Sequence, residues 1–275
     1  RPPRSTPKPS SAASDVYKRQ DGVVTGKIWP NDLKAAHLAP KWRVELGSSY
    51  SGPVMDGDTV YVTESSGDNE VVRALDRTNG KERWRHTWAG KMSVPFFAAK
   101  NGSWIRSTPA LANGKLFVAG MRDHLLCIDI KTGKRIWEIN FPKEHKTPIP
   151  SFGCVCSPMV DDNYVYMQAG AAFCKIEQDT GKMVWQSMKD KGGMYGSAFA
   201  SPVFATLGDK EQILVQSRTE LAGVDVDSGG ILWRQPVKAF RGMNILTPTV
   251  ILPLKKIIKP LNTLNVFIGI SENIL

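Results

Sequence analysis

The sequence has 275 residues, with 36 Lys and Arg against 26 Asp and Glu, for a formal net charge of +10. Residues 1–20 hold five bases and one acid, and residues 251–275 hold three bases and one acid, so the 230 residues between them carry only +4. An excess this small over that length does not indicate the strongly basic face that nucleic-acid binding normally needs, so no nucleic-acid partner is expected.

The first forty residues carry no repeat. Residues 1–20 hold four prolines and five serines or threonines without apolar periodicity, a composition typical of a disordered leader that is foreign to the fold. Residues 21–40 form a lead-in segment with no clear strand. Residues 41–46 resemble a lone outer strand containing Trp42. This strand either closes a ring of repeats or is what remains of a preceding repeat.

One pattern then occurs four times: an apolar run, an acid, a step of four residues to glycine, and tryptophan. The acid can accept hydrogen bonds from the amides of a tight turn, and glycine supplies the positive φ that such a turn needs. Each copy therefore predicts two strands joined by a turn. The acids are Asp76, Asp129, Glu177 and Asp225, the glycines are Gly80, Gly133, Gly181 and Gly229, and the tryptophans are Trp84, Trp137, Trp185 and Trp233.

The period of this pattern predicts the architecture. Successive tryptophans lie 53, 48 and 48 residues apart, a period of strand-rich repeats that is typical of propeller blades. A proline preceded by a small or hydroxyl residue marks the first strand of each repeat, since proline belongs at a strand start or an edge. These prolines are Pro53, Pro109, Pro158, Pro202 and Pro248.

The repeat A-x-D-x-x-T-G-K-x-x-W resembles that of the pyrroloquinoline-quinone (PQQ) propellers, which include quinoprotein alcohol dehydrogenases and an outer-membrane-barrel assembly lipoprotein. The resemblance covers residues 41–250 and implies an all-β propeller of four-stranded antiparallel blades with negligible helix. It also implies that the repeat tryptophans dock between neighbouring blades. Seven or eight such blades would need about 340 to 380 residues, so four or five blades and a fragment of a longer protein are expected.

The end of the sequence departs from the repeat. Residues 251–275 lack the acid, the glycine step and the tryptophan, and read as an atypical tail that is foreign to the propeller. The tail is apolar, but Lys255, Lys256 and Lys259 interrupt it, and it has no stretch of 18 apolar residues that predicts a spanning helix. The four cysteines lack the spacing of a metal site, and Cys154 and Cys156 are not the adjacent pair of PQQ dehydrogenases. Buried free thiols and no metal are expected.

Candidate ligand residues stand just before the prolines, in irregular segments that lead into the innermost strands and should converge on one mouth of the channel. In the PQQ enzymes the cofactor lies across that mouth. Arginines there could hold carboxylates and aromatic rings could stack on a flat ligand, whereas the alternative is that these residues only line the channel. The candidates are Trp104, Arg106, Tyr195, Arg241 and Asn244.

Two functions of different classes remain open. The first is a non-catalytic interaction scaffold of the bacterial cell envelope, without a cofactor, that binds a protein or polymer partner through its loops. The resemblance implies a periplasmic or extracytoplasmic location, and we expect a monomer. The second is a PQQ- and calcium-dependent alcohol dehydrogenase. The first is favoured, because the mouth segments show no adjacent-cysteine ring, no neighbouring carboxylate base and no recognisable calcium ligands.

Overall fold

The structure of the chain, a computed structural model, describes residues 32, 34–190, 199–207, 210–239 and 243–250. It contains four antiparallel sheets of four strands, each sheet formed by strands consecutive in the chain. The strands are β1 (Val54–Asp56), β2 (Thr59–Ser66), β3 (Asn69–Asp76), β4 (Glu82–Ala89), β5 (Ala110–Ala112), β6 (Lys115–Gly120), β7 (His124–Asp129), β8 (Arg135–Asn140), β9 (Met159–Val160), β10 (Tyr164–Ala169), β11 (Ala172–Glu177), β12 (Met183–Ser187), β13 (Val203–Leu207), β14 (Lys210–Gln216), β15 (Glu220–Asp225) and β16 (Ile231–Pro236).

Helix is scarce in the described residues. It is limited to one four-residue α-helix, α1 (Phe141–Glu144), and the 3-10 segments Ala35–Leu38 and Phe96–Asn101, all outside the four repeats. The prediction of successive four-stranded blades is therefore confirmed. Residues 41–46 differ from the expectation of a strand, because they find no sheet partner in the described chain and only Ser48 forms an isolated bridge, with Ser65.

The hydrophobic core lies between neighbouring sheets. Val72 and Ala74 of the first blade pack with Leu116 and Leu126 of the second in one buried cluster. Equivalent clusters join the second blade to the third and the third to the fourth. Each blade is therefore apolar on both faces, as expected of a unit that buries its surface against its neighbours.

The repeat motif closes the turn between the third and fourth strand of each blade. In the second blade, Asp129 Oδ1 accepts hydrogen bonds from the backbone N–H of Lys131 and Thr132 at 3.1 and 2.8 Å. Gly133, with φ of 70°, donates its N–H to the Asp129 carbonyl at 2.9 Å. The Thr132 hydroxyl, which donates to Asp129 Oδ1 at 2.7 Å, and the backbone N–H groups of Thr132 and Lys131 hold the pKa of the Asp129 carboxyl below its usual value. We call this feature the glycine turn. A register shift, one in each blade, falls just before the acid.

Each glycine turn receives the tryptophan of the preceding repeat. The Trp84 ring lies against Gly133 so closely that an added Cβ there would stand 2.7 Å from Trp84 Cδ2. Trp84 Nε1 donates to the Ile130 carbonyl of the same turn at 2.9 Å. Glycine is therefore required at this position for two reasons: the turn needs a positive φ, and the indole ring leaves no room for a side chain. The same docking joins Trp42 to Gly80, Trp137 to Gly181 and Trp185 to Gly229.

Lys175 alters one of these joints. It occupies the position that is Ala74 in the first repeat, and its Nζ donates to the Val226 carbonyl at 2.9 Å. The ammonium also lies 4.0 Å from the centre of the Tyr164 ring. The Trp185 Nε1 is buried without a hydrogen-bond acceptor. The Val226 carbonyl is equivalent to the Ile130 carbonyl, which accepts from the Trp84 indole. At this joint the lysine therefore bonds the carbonyl in place of the indole.

The contribution of the tryptophan contact to stability can be measured by comparing substitutions at two glycines. Gly133 and Gly114 have nearly the same φ, 70° and 72°, but an added Cβ at Gly114 meets no atom within 4 Å. Both alanine substitutions impose left-handed strain, and only Gly133→Ala also displaces a ring. We expect Gly133→Ala to lower the free energy of unfolding in urea by about 1 to 3 kcal/mol more than Gly114→Ala does. Equal losses would show that tryptophan docking contributes little at this joint.

Candidate functional site

The loops that connect successive blades all leave from one end of the sheets. In an antiparallel sheet of four strands, the turn between the second and third strands and the exit from the fourth lie at the same end, opposite the glycine turn. This end therefore gathers the three connections between successive blades and the segment that follows β16, together with the β2–β3, β6–β7, β10–β11 and β14–β15 turns. We call the three connections and the last segment the inter-blade loops. They are residues 90–109, 141–158, 188–202 and 237–248, of which residues 191–198 and 240–242 lie outside the described ranges.

A ladder of hydrogen bonds holds the ends of these loops together. The N–H of Thr108 donates to Ser157 Oγ at 2.9 Å, and the N–H of Ser157 donates in turn to Ser201 Oγ at 3.1 Å. The ladder begins with Gly52 N to Thr108 Oγ1 at 2.9 Å and ends with Ser201 N to Thr247 Oγ1 at 3.4 Å. Every member precedes one of the repeat prolines. At each repeat proline after the first, the hydroxyl of the residue before it thus accepts a hydrogen bond from a backbone N–H of the preceding blade.

Trp104 and Arg106 lie in one cluster with Tyr50. The Tyr50 and Trp104 ring centres are 5.5 Å apart, and the Arg106 guanidinium carbon lies 5.1 Å from the centre of the Tyr50 ring. Arg106 Nη2 donates to the Gly102 carbonyl at 3.0 Å, whereas its Nε is buried and has no acceptor. Burial lowers the pKa of Arg106. The cluster therefore offers one buried cationic donor beside two aromatic rings.

Asn244 follows the last strand of the fourth blade, and its side chain bonds the backbone of that blade's loops. Its Nδ2 donates to the carbonyls of Ser217 and Arg218, both at 3.0 Å, and to that of Val237 at 3.3 Å. These bonds tie the last inter-blade loop to the β14–β15 turn. Tyr195 and Arg241, the other two candidate ligands, lie outside the described residues, so their place in a common site stays a prediction.

A row of phenylalanines crosses three inter-blade loops. Phe96 and Phe97 stand on the first loop with ring centres 5.5 Å apart, Phe97 lies 6.0 Å from Phe152 on the second, and Phe152 lies 5.8 Å from Phe199 on the third. Phe96 is 90% exposed and Phe97 46%. We call these four residues the phenylalanine row. Sequence reasoning did not select any of them as a candidate site residue, since no repeat position marks them.

A narrow pocket opens at the same end, between the second, third and fourth blades. Its wall includes the buried Asp123 carboxyl, the Cys154 thiol and Gln168, and at the rim Arg218 Nε lies 3.4 Å from Asp190 Oδ2. All four cysteines are free and buried, and burial raises the pKa of the Cys156 thiol to about 12. These thiols are packed as small apolar side chains, as expected.

Two buried acids join neighbouring blades at this end. Glu70, 2% exposed, accepts from Trp88 Nε1 at 2.7 Å and from the N–H of Met121 in the next blade at 2.9 Å. Asp123, 1% exposed, accepts from the N–H of Gly170 in the following blade at 2.8 Å. Burial raises the pKa of each carboxyl to about 7.

Sequence reasoning missed both acids, although a signal was present. Glu70 and Asp123 each stand four residues before the small residue that opens the repeat motif, at Ala74 and Cys127. An acid at the same place in two repeats, just before the apolar part of the third strand, indicates a recurring structural position at which the carboxyl can be buried if it is bonded. No group of three or more His, Cys, Asp or Glu that could hold a metal occurs in the part of the chain that the structure describes. No helix there has the length and hydrophobicity that crossing a bilayer requires.

The titration of Asp123 predicts a pH dependence of stability. Its pKa in the folded state, about 7, lies above the ordinary value of 3.8, so folding takes up a proton between these pH values and stability falls as pH rises through them. We expect the free energy of unfolding to drop by about 2 kcal/mol from this group between pH 5 and pH 8.

The substitution Asp123→Asn should remove that part of the slope, because the amide oxygen can still accept from Gly170 and does not titrate. Asp129→Asn is the control, since the pKa of this exposed carboxyl is lowered and its titration falls below the range measured. Urea unfolding at a series of pH values checks both variants. An Asp123→Asn slope equal to that of the unsubstituted protein would contradict the assignment.

Comparison with known proteins gives the family. The family model described as outer membrane protein assembly factor BamB matches residues 68–251. The crystal structure of BamB from Moraxella catarrhalis is similar with a TM-score of 0.53 at 19% identity, over 74% of this chain and 56% of that one. At this identity the likeness shows the fold alone.

Two relatives are dehydrogenases by name. The 1-butanol dehydrogenase (cytochrome c) of Thauera butanivorans is 33% identical over 119 residues, which cover 42% of this chain and 16% of that protein. The quinohemoprotein alcohol dehydrogenase ADH-IIG of Pseudomonas putida is 24% identical over 214 residues, covering 74% of this chain and 27% of that protein. The chain thus spans much less than half of either enzyme. Because the BamB model matches about two thirds of the sequence, the chain belongs to the BamB-like family of PQQ-repeat propellers.

Proposed function

We propose that this propeller is a non-catalytic scaffold of the bacterial cell envelope, which binds a protein partner through its inter-blade loops. The observation that carries the proposal is the phenylalanine row, with rings of three successive loops in line and Phe96 at 90% exposure. Exposed aromatic side chains on loops held by a rigid fold are typical of protein-binding surfaces. The name of the family supports a periplasmic or extracytoplasmic location and a role in outer-membrane assembly.

The bonding of the candidate ligand residues also supports a scaffold. Asn244 Nδ2 donates to three backbone carbonyls, and Arg106 donates to the carbonyl of Gly102 in its own loop. Trp104 lies so close to Gly102 that an added Cβ would stand 2.5 Å from the indole. These side chains stabilise the loops that they belong to. These contacts favour a structural role for the described candidates, with the Nε of Arg106 as the one donor that they leave without an acceptor.

A quinoprotein dehydrogenase is the second candidate, and the two dehydrogenase relatives favour it. PQQ carries carboxylates, for which the buried Nε of Arg106 is an available donor beside Trp104. The amide hydrogens of Asn244 are already bonded, and no metal-ligating group accompanies these residues in the described ranges. The described residues thus fit one contact to the quinone and do not fit the calcium site that this chemistry needs. We derive no reaction step from them.

Quinone binding separates the two functions. We expect no saturable binding when PQQ is titrated against the folded chain, with or without Ca²⁺, by fluorescence or calorimetry. The Arg106→Ala, Arg241→Ala double variant is measured beside it. Saturable binding that the double variant loses would favour the dehydrogenase and place a carboxylate ligand at the two arginines. Equal binding by both proteins would also contradict the scaffold, and would exclude this pair as the site.

A further inference from the structure

The charge of the chain is concentrated at the end that bears the phenylalanine row. Within the described ranges, the inter-blade loops hold seven Lys and Arg and two acids, an excess of +5, whereas all the described residues together carry +3. The described residues outside these loops are therefore net negative by two charges. Lys100, Lys143 and Lys146 are exposed on the first two loops, which also carry Phe96, Phe97 and Phe152. An apolar row with basic surroundings complements a partner that is acidic and apolar.

The spacing of the row fits one kind of partner. Its ring centres lie 5.5, 6.0 and 5.8 Å apart in sequence along the surface. Alternate side chains of an extended polypeptide point to the same side at intervals of about 6.5 to 7 Å. Side chains at every second position of such a segment can therefore each contact a different ring. The positions between them face away from the rings and can carry the acids that meet the surrounding lysines.

We propose that the phenylalanine row binds an extended, acidic polypeptide segment that has apolar residues at alternate positions. This deepens the proposed scaffold function and rests on it. The segment lies across the first three inter-blade loops, with its apolar side chains on the four rings. Its carboxylates pair with the lysines of the loops. Affinity comes from the rings, and the basic loops set the preference for an acidic segment and raise the rate of association.

Other anionic partners fit the surface less well. Single-stranded nucleic acid stacks its bases on parallel ring faces, but neighbouring rings of the row are inclined by 82°, 61° and 51°. A lipid surface takes up protruding apolar side chains, but half of the row is withdrawn from the surface, since Phe152 and Phe199 are half-buried and only Phe96 and Phe97 are exposed. The apolar residues 251–275 of this chain carry three lysines and one acid, so the basic loops repel them.

A synthetic peptide tests the proposal directly. The probe is a fluorescein-labelled peptide of about ten residues, with leucine or valine at alternate positions and glutamate or aspartate between them. Binding to the full chain is followed by fluorescence anisotropy at increasing salt. One control peptide has the same composition with the apolar residues grouped at one end, and a second has lysine in place of each acid. We expect saturable binding of the alternating acidic peptide, at least about tenfold tighter than either control.

Matched variants locate the binding surface. We expect the Phe96→Ser, Phe97→Ser variant to bind the probe at least about tenfold more weakly. The control Ile136→Ser, Val184→Ser alters apolar residues of similar exposure, 46% and 43%, on the outer strands β8 and β12, and should leave binding unchanged. Lys100→Glu, Lys143→Glu, Lys146→Glu should weaken binding and reduce its salt dependence. Its control, Lys81→Glu, Lys131→Glu, Lys134→Glu, makes the same charge change on the glycine turns.

A photo-crosslinking benzophenone in the probe gives a second readout that does not depend on the folding of any variant. Crosslinks within residues 90–109 or 141–158 support the proposal, and crosslinks confined to the glycine turns overturn it. Equal binding of the grouped peptide, or an unchanged affinity of the Phe96→Ser, Phe97→Ser variant, would also overturn it. So would tighter binding of oligothymidylate, or of vesicles of phosphatidylcholine and phosphatidylserine, in the same buffer. If neither the peptide nor PQQ binds, the proposed scaffold function stands and its binding surface lies elsewhere. If PQQ binds, the scaffold function itself is contradicted.

Discussion

The contact between an indole ring and a glycine of the next repeat governs how the blades are joined. Trp84 can lie flat on Gly133 only because that position has no side chain, and its Nε1 bonds the Ile130 carbonyl of the same turn. The contact fixes the separation of two sheets at one end and seals the apolar cluster between them. With the sheets held in this way, the residues before the prolines come within hydrogen-bond distance and form the ladder through Ser157 and Ser201.

The two ends of each blade consequently have different tasks. Asp129 and Gly133 close the glycine turn almost entirely with bonds inside their own repeat, and the tryptophan is the contact added from outside. At the opposite end Glu70 and Asp123 bond backbone groups of the next blade, and the inter-blade loops present the phenylalanine row and the excess of lysines. The end with the glycine turns has nearly the same structure in every blade and sets the geometry of the propeller. The end with the inter-blade loops differs in sequence from blade to blade, and there a binding surface can develop without disturbing the fold.

Much of the fold was predictable from the sequence because its signals are local and periodic. The acid, glycine and tryptophan of each repeat lie within a dozen residues and serve one turn and one docking contact. The candidate site was less predictable, because Phe96, Phe152 and Phe199 meet only after three loops have been placed side by side. Asn244 was a candidate ligand from its position, but which carbonyls its amide would find depends on the turn between β14 and β15. Nothing in the sequence indicates the burial of Lys175, whose ammonium finds its carbonyl acceptor only on the neighbouring blade.

The link at Asp123 has a consequence for the way in which such a protein can change its number of blades. An indole lies on a glycine turn at Gly80, Gly133, Gly181 and Gly229, and only the last of these joints differs, because Lys175 takes the carbonyl there. Duplication or loss of one whole repeat would therefore rejoin largely compatible surfaces at this end. The other end is not interchangeable, since Glu70 meets Met121, Asp123 meets Gly170, and Gln168 meets the Gln216 carbonyl. One end of the propeller thus permits shuffling of repeats during evolution, and the other records the order in which the repeats must follow one another.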